Sequence, residues 1–171
     1  MATMATMATM TTMTTMATMA TYIIITNDGV ETHLTESVSK HFITLDHLIQ
    51  YNTADEPITL YTMSEKVFNH LLTYLNHFIE TNDPMLSFTG FCKKKTELTE
   101  GEQNSYERWV INKKYLSEWE TEFYNELDDD MLAKLWEATD YLNCPFLLDS
   151  FSVEAGWRKV RGKGKPFNPL N

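Results

Sequence analysis

The chain has 171 residues, a formal net charge of −10, and a composition that is 43% hydrophobic and 12% aromatic. That apolar content excludes disorder for its body, and no stretch approaches the ~20 apolar residues needed to cross a bilayer. A net acidic body repels phosphate backbones, which argues against nucleic acid as the main partner. The first 21 residues contain only Met, Ala and Thr in near-repeating triplets, with neither the basic start and apolar core of a signal peptide nor the Arg of a presequence. Residues 1–21 therefore read as a disordered, low-complexity leader, and the remaining 150 suffice for one domain.

Charge is uneven along that domain. Ser117 to Glu154 holds 11 acidic residues against the single base Lys134, whereas Arg158, Lys159, Arg161, Lys163 and Lys165 follow with no acid among them. A short basic end of this kind reads as a solvated terminus. Cys92 and Cys144 form neither a metal spacing nor a disulfide framework, and free thiols suit a reducing compartment. Cytoplasmic and nuclear residence is expected.

Residues 22–84 open with strands. Tyr22–Thr26 is β-branched and meets Asn27-Asp28-Gly29, a hairpin signal, and Val30–Leu34 alternates as a return strand. Thr35 opens a short helix, and Leu45, Leu48 and Ile49 mark another. Pro57 leads a third strand through Leu60. Ser64 is the expected N-cap of a helix whose apolar residues, from Val67 to Ile79, recur at three and four. Asn82-Asp83-Pro84 ends it. Residues 85–116 have weak periodicity and read as a mostly exposed connection, with at most a helical turn around Tyr106–Lys114.

In residues 117–163, Ser117-Glu-Trp-Glu120 is a capping-box pattern, and Asp128–Asp130 places negative charge where a helix dipole favours it. Met131, Leu132, Leu135, Trp136, Thr139 and Leu142 form an apolar face expected against the Val67–Ile79 helix. Asn143-Cys144-Pro145 breaks this helix and starts a final one, expected to reach Gly156 and the basic end, with a tail at 164–171.

Chemistry is sparse. His70 and His77, with Tyr74 between them, lie about 10 Å apart along a helix, too far to share one ion, and read as solvent-facing. There is no phosphate loop, nucleophile elbow or local Cys–His signature. Glu118, Glu120 and Glu122 read as a solvated edge and Asp128–Asp130 as capping charge, so a metal-dependent hydrolase is the remote alternative. No catalytic, metal or cofactor site is expected, which suits a binding protein.

The ordered set Glu118-Trp119-x-x-Glu122-Phe123, Asp128 to Leu132, Ala138-Thr-Asp-Tyr-Leu142-Asn and Leu147-Leu148-Asp149 resembles the Skp family, the adaptor subunits of SCF-type ubiquitin ligases. Ile23-x-Ile-x-Asn-Asp28-Gly29, Ile58-x-Leu60 and Asn82-Asp83-Pro84 follow the same order, so the resemblance spans about 22–84 and 115–163. It implies an α/β, BTB/POZ-like domain: a small N-terminal sheet packed with helices, and a shortened C-terminal helical F-box-binding region. It also implies a non-catalytic adaptor whose partners are a cullin and F-box proteins. By position, Asp140 and Tyr141 face the cullin, and Phe146, Leu147, Leu148, Phe151 and Trp157 face the F-box.

Three departures qualify this. Lys93-Lys94-Lys95 replaces the family's acidic run, Asp140 stands where Asn is usual, and the family's last two helices have no counterpart after Lys163. Pro166 and Pro169 prevent a continuous replacement helix. F-box binding is accordingly expected to be weak, with self-association through the bared patch unless Phe167 folds back to cover it. The alternative is a divergent BTB-fold module that self-associates or sequesters a partner without ligase function.

Overall fold

A computed structural model of the chain describes residues 20–51, 56–163 and 165. The leader up to Met19 and the proposed cover of the patch by Phe167 lie outside the described residues. Strand β1 (Thr21–Thr26) turns into β2 (Glu31–Thr35), two short helices α1 (Glu36–Ser39) and α2 (Ile43–Tyr51) follow, and β3 (Ile58–Leu60) returns. Then come α3 (Glu65–Glu80), three single 3-10 turns, α4 (Glu100–Asn112), α5 (Glu118–Asn125), α6 (Asp129–Leu142) and α7 (Pro145–Arg161). The protein is thus mixed α/β, a small three-stranded sheet with seven α-helices among the described residues, consistent with a BTB-type fold.

The sheet order is β2-β1-β3, with β1 antiparallel to β2 and parallel to β3. Period-2 alternation sends Ile24 and Thr26 of β1 and Ile58 and Leu60 of β3 inward, which buries all four. The hairpin turns on Gly29, whose φ of +80° suits a residue without Cβ.

The turn does a second job. Ser64 occupies the N-cap position of α3 with extended backbone, but its side chain makes no capping hydrogen bond. Instead both carboxylate oxygens of Asp28 accept from the Glu65 backbone N–H at 3.1 Å, and the Thr26 hydroxyl donates to Asp28 Oδ1 at 2.5 Å. The Thr26 hydroxyl and the Glu65 N–H hold the Asp28 carboxyl below its ordinary value. Asp28→Ala is expected to lower the urea midpoint while Ser64→Ala leaves it nearly unchanged. The reverse ranking would restore Ser64 as the cap.

The three-and-four spacing in α3 is realised with one correction: Tyr74 is fully buried rather than exposed beside His70 and His77. Phe78, Trp119, Phe123, Tyr124 and Phe151 surround its ring with centroids 4.8–5.8 Å away. His77 stacks flat on Trp119 at 3.7 Å, and His70 lies 6.2 Å from Phe123, so both half-buried histidines flank the α3–α5 contact instead of facing water.

Residues 85–116 are also more ordered than their composition suggests. Thr99 and Glu102 form a complete capping box, and Lys93 bonds to Glu102 at 2.5 Å. Those donors hold the exposed Glu102 carboxyl down at about 2, so the cap is intact above the ordinary Glu range and fades only as pH falls towards 2. About two turns further on, Trp109 is buried, with Phe91 and Phe146 at 5.2 and 6.4 Å. Short-window periodicity misses this helix because only one of its side chains is fully buried.

Candidate interaction surfaces

Helices α6 and α7 build an open apolar groove. Asp128 caps α6 by accepting from Met131 N–H at 2.7 Å, and Asn143, at φ +52°, ends it in the left-handed conformation. Pro145 then starts α7 where a missing N–H costs nothing. Leu132, Leu135, Thr139 and Leu142 turn inward as expected, Ala138 joins them, and Met131 is half-buried. Trp136 does not join them: it is 43% exposed, and its Nε1–H donates to Ser152 Oγ on α7 at 2.9 Å. Being one residue from Leu135, it sits about 100° round the helix from that stripe.

Between the two helices lies a groove of about 640 Å³ with a floor of Leu132, Ala133, Trp136, Phe151 and Ala155. Its α6 lip carries Asp129 and Glu137, and its α7 lip carries Arg158, Lys159 and Lys163. Asp129 is already engaged, accepting from Arg158 Nη1 at 2.8 Å. Lys159, Lys163 and Glu137 make no hydrogen bond among the described residues.

Beside the groove sits a buried ion cluster that takes Arg158 and Arg161 out of the solvated basic end, whose Lys159, Lys163 and Lys165 stay exposed. Helix α7 runs through Gly156, where an added Cβ would meet nothing within 4 Å, and continues to Arg161. This brings Arg158 and Arg161 onto Glu154, whose side chain is 2% exposed. Arg158 Nε donates to Glu154 Oε1 at 3.1 Å, and its Nη2 donates to the Tyr124 carbonyl at 3.1 Å. Arg161 Nη2 donates to Glu154 Oε2, while its buried Nε and Nη1 have no partner. Burial pushes the Glu154 carboxyl above its ordinary value against the pull of Arg161 and Arg158.

A second recess, of about 490 Å³, lies where the hairpin and the start of α3 meet α6. Asn27, Met63, Ser64, Val67 and Ala138 line it, and Tyr141, 44% exposed, stands at its edge. Asp140 is exposed beside it. The last turn of α6 is anchored from below, because Thr44 Oγ1 donates to the Tyr141 carbonyl at 3.1 Å. That leaves the Tyr141 ring free to meet a partner without unmaking internal packing.

The remaining polar clusters knit elements together. Lys113 pairs with Glu120 and donates to the Tyr74 hydroxyl at 3.3 Å, which donates in turn to Glu120 Oε1 at 3.2 Å. Glu120 is therefore buried and not part of a solvated edge. Burial works to raise its carboxyl, but Lys113 and the Ser117 donors outweigh it and leave it below its ordinary value. Ser117 and Glu120 form the capping box foreseen for α5. In a third cleft Asp149, raised by burial, accepts from Tyr106, whose hydroxyl burial and Asp149 push up to about 12. Among the described residues no three His, Cys, Asp or Glu are grouped to hold a metal ion, and no helix is long and apolar enough to cross a membrane.

The residues of the F-box-facing set lie mostly inside the domain. Phe146, Leu147 and Phe151 are buried in the core, and of these only Phe151 shows an edge to the groove. Leu148 is half-buried in the Asp149 cleft, and half-buried Trp157 donates to the Val110 carbonyl at 3.3 Å. Their apolar character reflects packing of α7 on α4 and α3 rather than a vacant surface. Trp136 and Ala155, together with the lysine pair Lys159 and Lys163, form the accessible face instead. Trp136 had a readable signal, an indole one position off the leucine stripe.

No protein-family model matches the chain. It is similar to SKP1-like protein 18 of Arabidopsis thaliana, 25% identical over 126 residues. The match covers 74% of this chain and 66% of that protein, a little under two thirds of its length. This agrees with the Skp-family resemblance of the sequence.

Proposed function

We propose that the protein is a non-catalytic adaptor of an SCF-type ubiquitin ligase, holding a cullin on one surface and an F-box receptor on another. The similarity to an SKP1-like protein over 126 residues carries this reading. Two separate exposed features, the Tyr141 recess and the α6–α7 groove, give it the two surfaces an adaptor requires. The cullin meets Asp140 and Tyr141, while the F-box helices dock along α6 and α7 over Trp136. Such an adaptor acts by proximity alone, and its place is the cytoplasm and nucleus.

Pull-down from cell extract, scored for cullins and F-box proteins, is the direct test. Failure to capture either class would remove the reading. Within it, Tyr141→Lys should cost 2 kcal/mol or more of cullin affinity, roughly a thirty-fold loss, because an aromatic anchor dominates a small contact patch. The circular-dichroism spectrum should not change, since the ring lies outside the core. Retained binding by that variant would exclude this surface.

A further inference from the structure

The α6–α7 groove has an asymmetry that its apolar floor does not require. Its α7 side carries Lys159 on the last turn of the helix and Lys163 just past the helix end, and both lack a partner among the described residues. This occurs in a chain with 24 acidic and 14 basic residues, where a lysine readily finds an acid. The α7 bases that do have partners, Arg158 and Arg161, converge on Glu154 and are withdrawn from the lip. Across the groove, Asp129 is spent on Arg158, which leaves Glu137 as the remaining acid of the lining. The free charge around the floor is therefore two positive against one negative, and the positives are confined to one wall.

We propose that this groove selects an amphipathic helix whose apolar stripe is bordered by carboxylates, and that Lys159 and Lys163 are the residues that read those carboxylates. The proposal rests on the groove's being a docking face, as above, and adds the chemistry of what docks. Trp136, Ala133 and Ala155 contact the stripe: the indole supplies the large contact, and the two alanines let the incoming helix approach closely. Lys159 on the last turn of α7 and Lys163 just beyond its end set two positive charges along one wall, where they meet acids on one flank of the ligand. Charges at such a rim add selectivity and association rate more than bulk affinity. Because they stand on one lip only, they also fix which side of the helix faces α7, and so its direction along the groove.

The test uses two fluorescent helical peptides of about 18 residues with identical leucine stripes, flanked by Glu in one and by Lys in the other. Binding to the full chain is read by anisotropy at low and high salt. The Glu-flanked peptide is expected to bind at least roughly ten-fold tighter, with an advantage that shrinks in salt. The exposed pair K159E/K163E should invert the preference with an unchanged circular-dichroism spectrum, and Trp136→Ser should weaken both peptides. This pattern supports the inference even if no cullin or F-box protein is captured, which separates it from the fate of the adaptor reading. Equal binding of the two peptides, a preference indifferent to K159E/K163E, or no binding of either overturns it. So does a concentration-dependent dimer that the Glu-flanked peptide fails to dissociate, because a second copy would then own the groove.

Discussion

Glu154→Ala is expected to destabilise the protein by about 3–5 kcal/mol, because it leaves the buried Arg161 guanidinium facing no carboxylate and removes one of the two that Arg158 has. Arg161 is the decisive partner. With a side chain 1% exposed and two N–H groups already unpaired, it has no route to water once Glu154 Oε2 is gone. Arg158 suffers less, since Asp129 and the Tyr124 carbonyl still accept from it. Glu154→Gln keeps an acceptor and should lose less, whereas the apolar double replacement Glu154→Leu with Arg161→Leu should recover much of the loss. Urea unfolding of the three variants gives the ranking. A loss below about 1 kcal/mol for Glu154→Ala would mean that these charges behave as a surface pair.

Leu135→Ala should cost about 2–5 kcal/mol. Leu135 is fully buried on the side of α6 that packs on α3, and its removal opens a void between two regular helices that collapse poorly. Against the ~5–15 kcal/mol expected of a domain this size, that loss is a large fraction. Trp136→Ala, one residue away, removes a larger side chain and should cost much less, because the indole is nearly half in water. Thermal melts of the two variants give the comparison, and near-equal losses would place Trp136 in the core after all.

That contrast marks how far the sequence could be read. The sheet strands, α3, the α5 capping box, and α6 with its break at Asn143 were legible because each rests on local rules: alternation, turn residues, caps and three-four spacing. The failures came where a residue's role depends on a distant partner. Glu120 reads as surface until Lys113 and Tyr74 close over it, and Arg158 and Arg161 read as tail until α7 runs on past Gly156 to bring Glu154 within reach. Helix α4 was hidden by its few buried residues. The candidate surface was half legible: Tyr141 is exposed as the resemblance implies, but Phe146, Leu147 and Phe151 had to be core before Trp136 stood out as groove.

The Asp28 cap has a kinetic meaning. Nucleation is the costly step of making a helix, and α3, at 16 residues, is one of the two long helices that pack on α6. A β-hairpin forms on a timescale of about 1–10 μs from neighbouring residues alone. Once closed, the β1–β2 turn presents a fixed carboxylate to an orphan N–H 37 positions along the chain. The hairpin thus acts as a template on which the first turn of α3 starts, and refolding of Asp28→Ala should slow by a larger factor than its unfolding accelerates. An order of events is written into one turn of the chain: hairpin first, long helix second, and α6 only when that helix offers it a face.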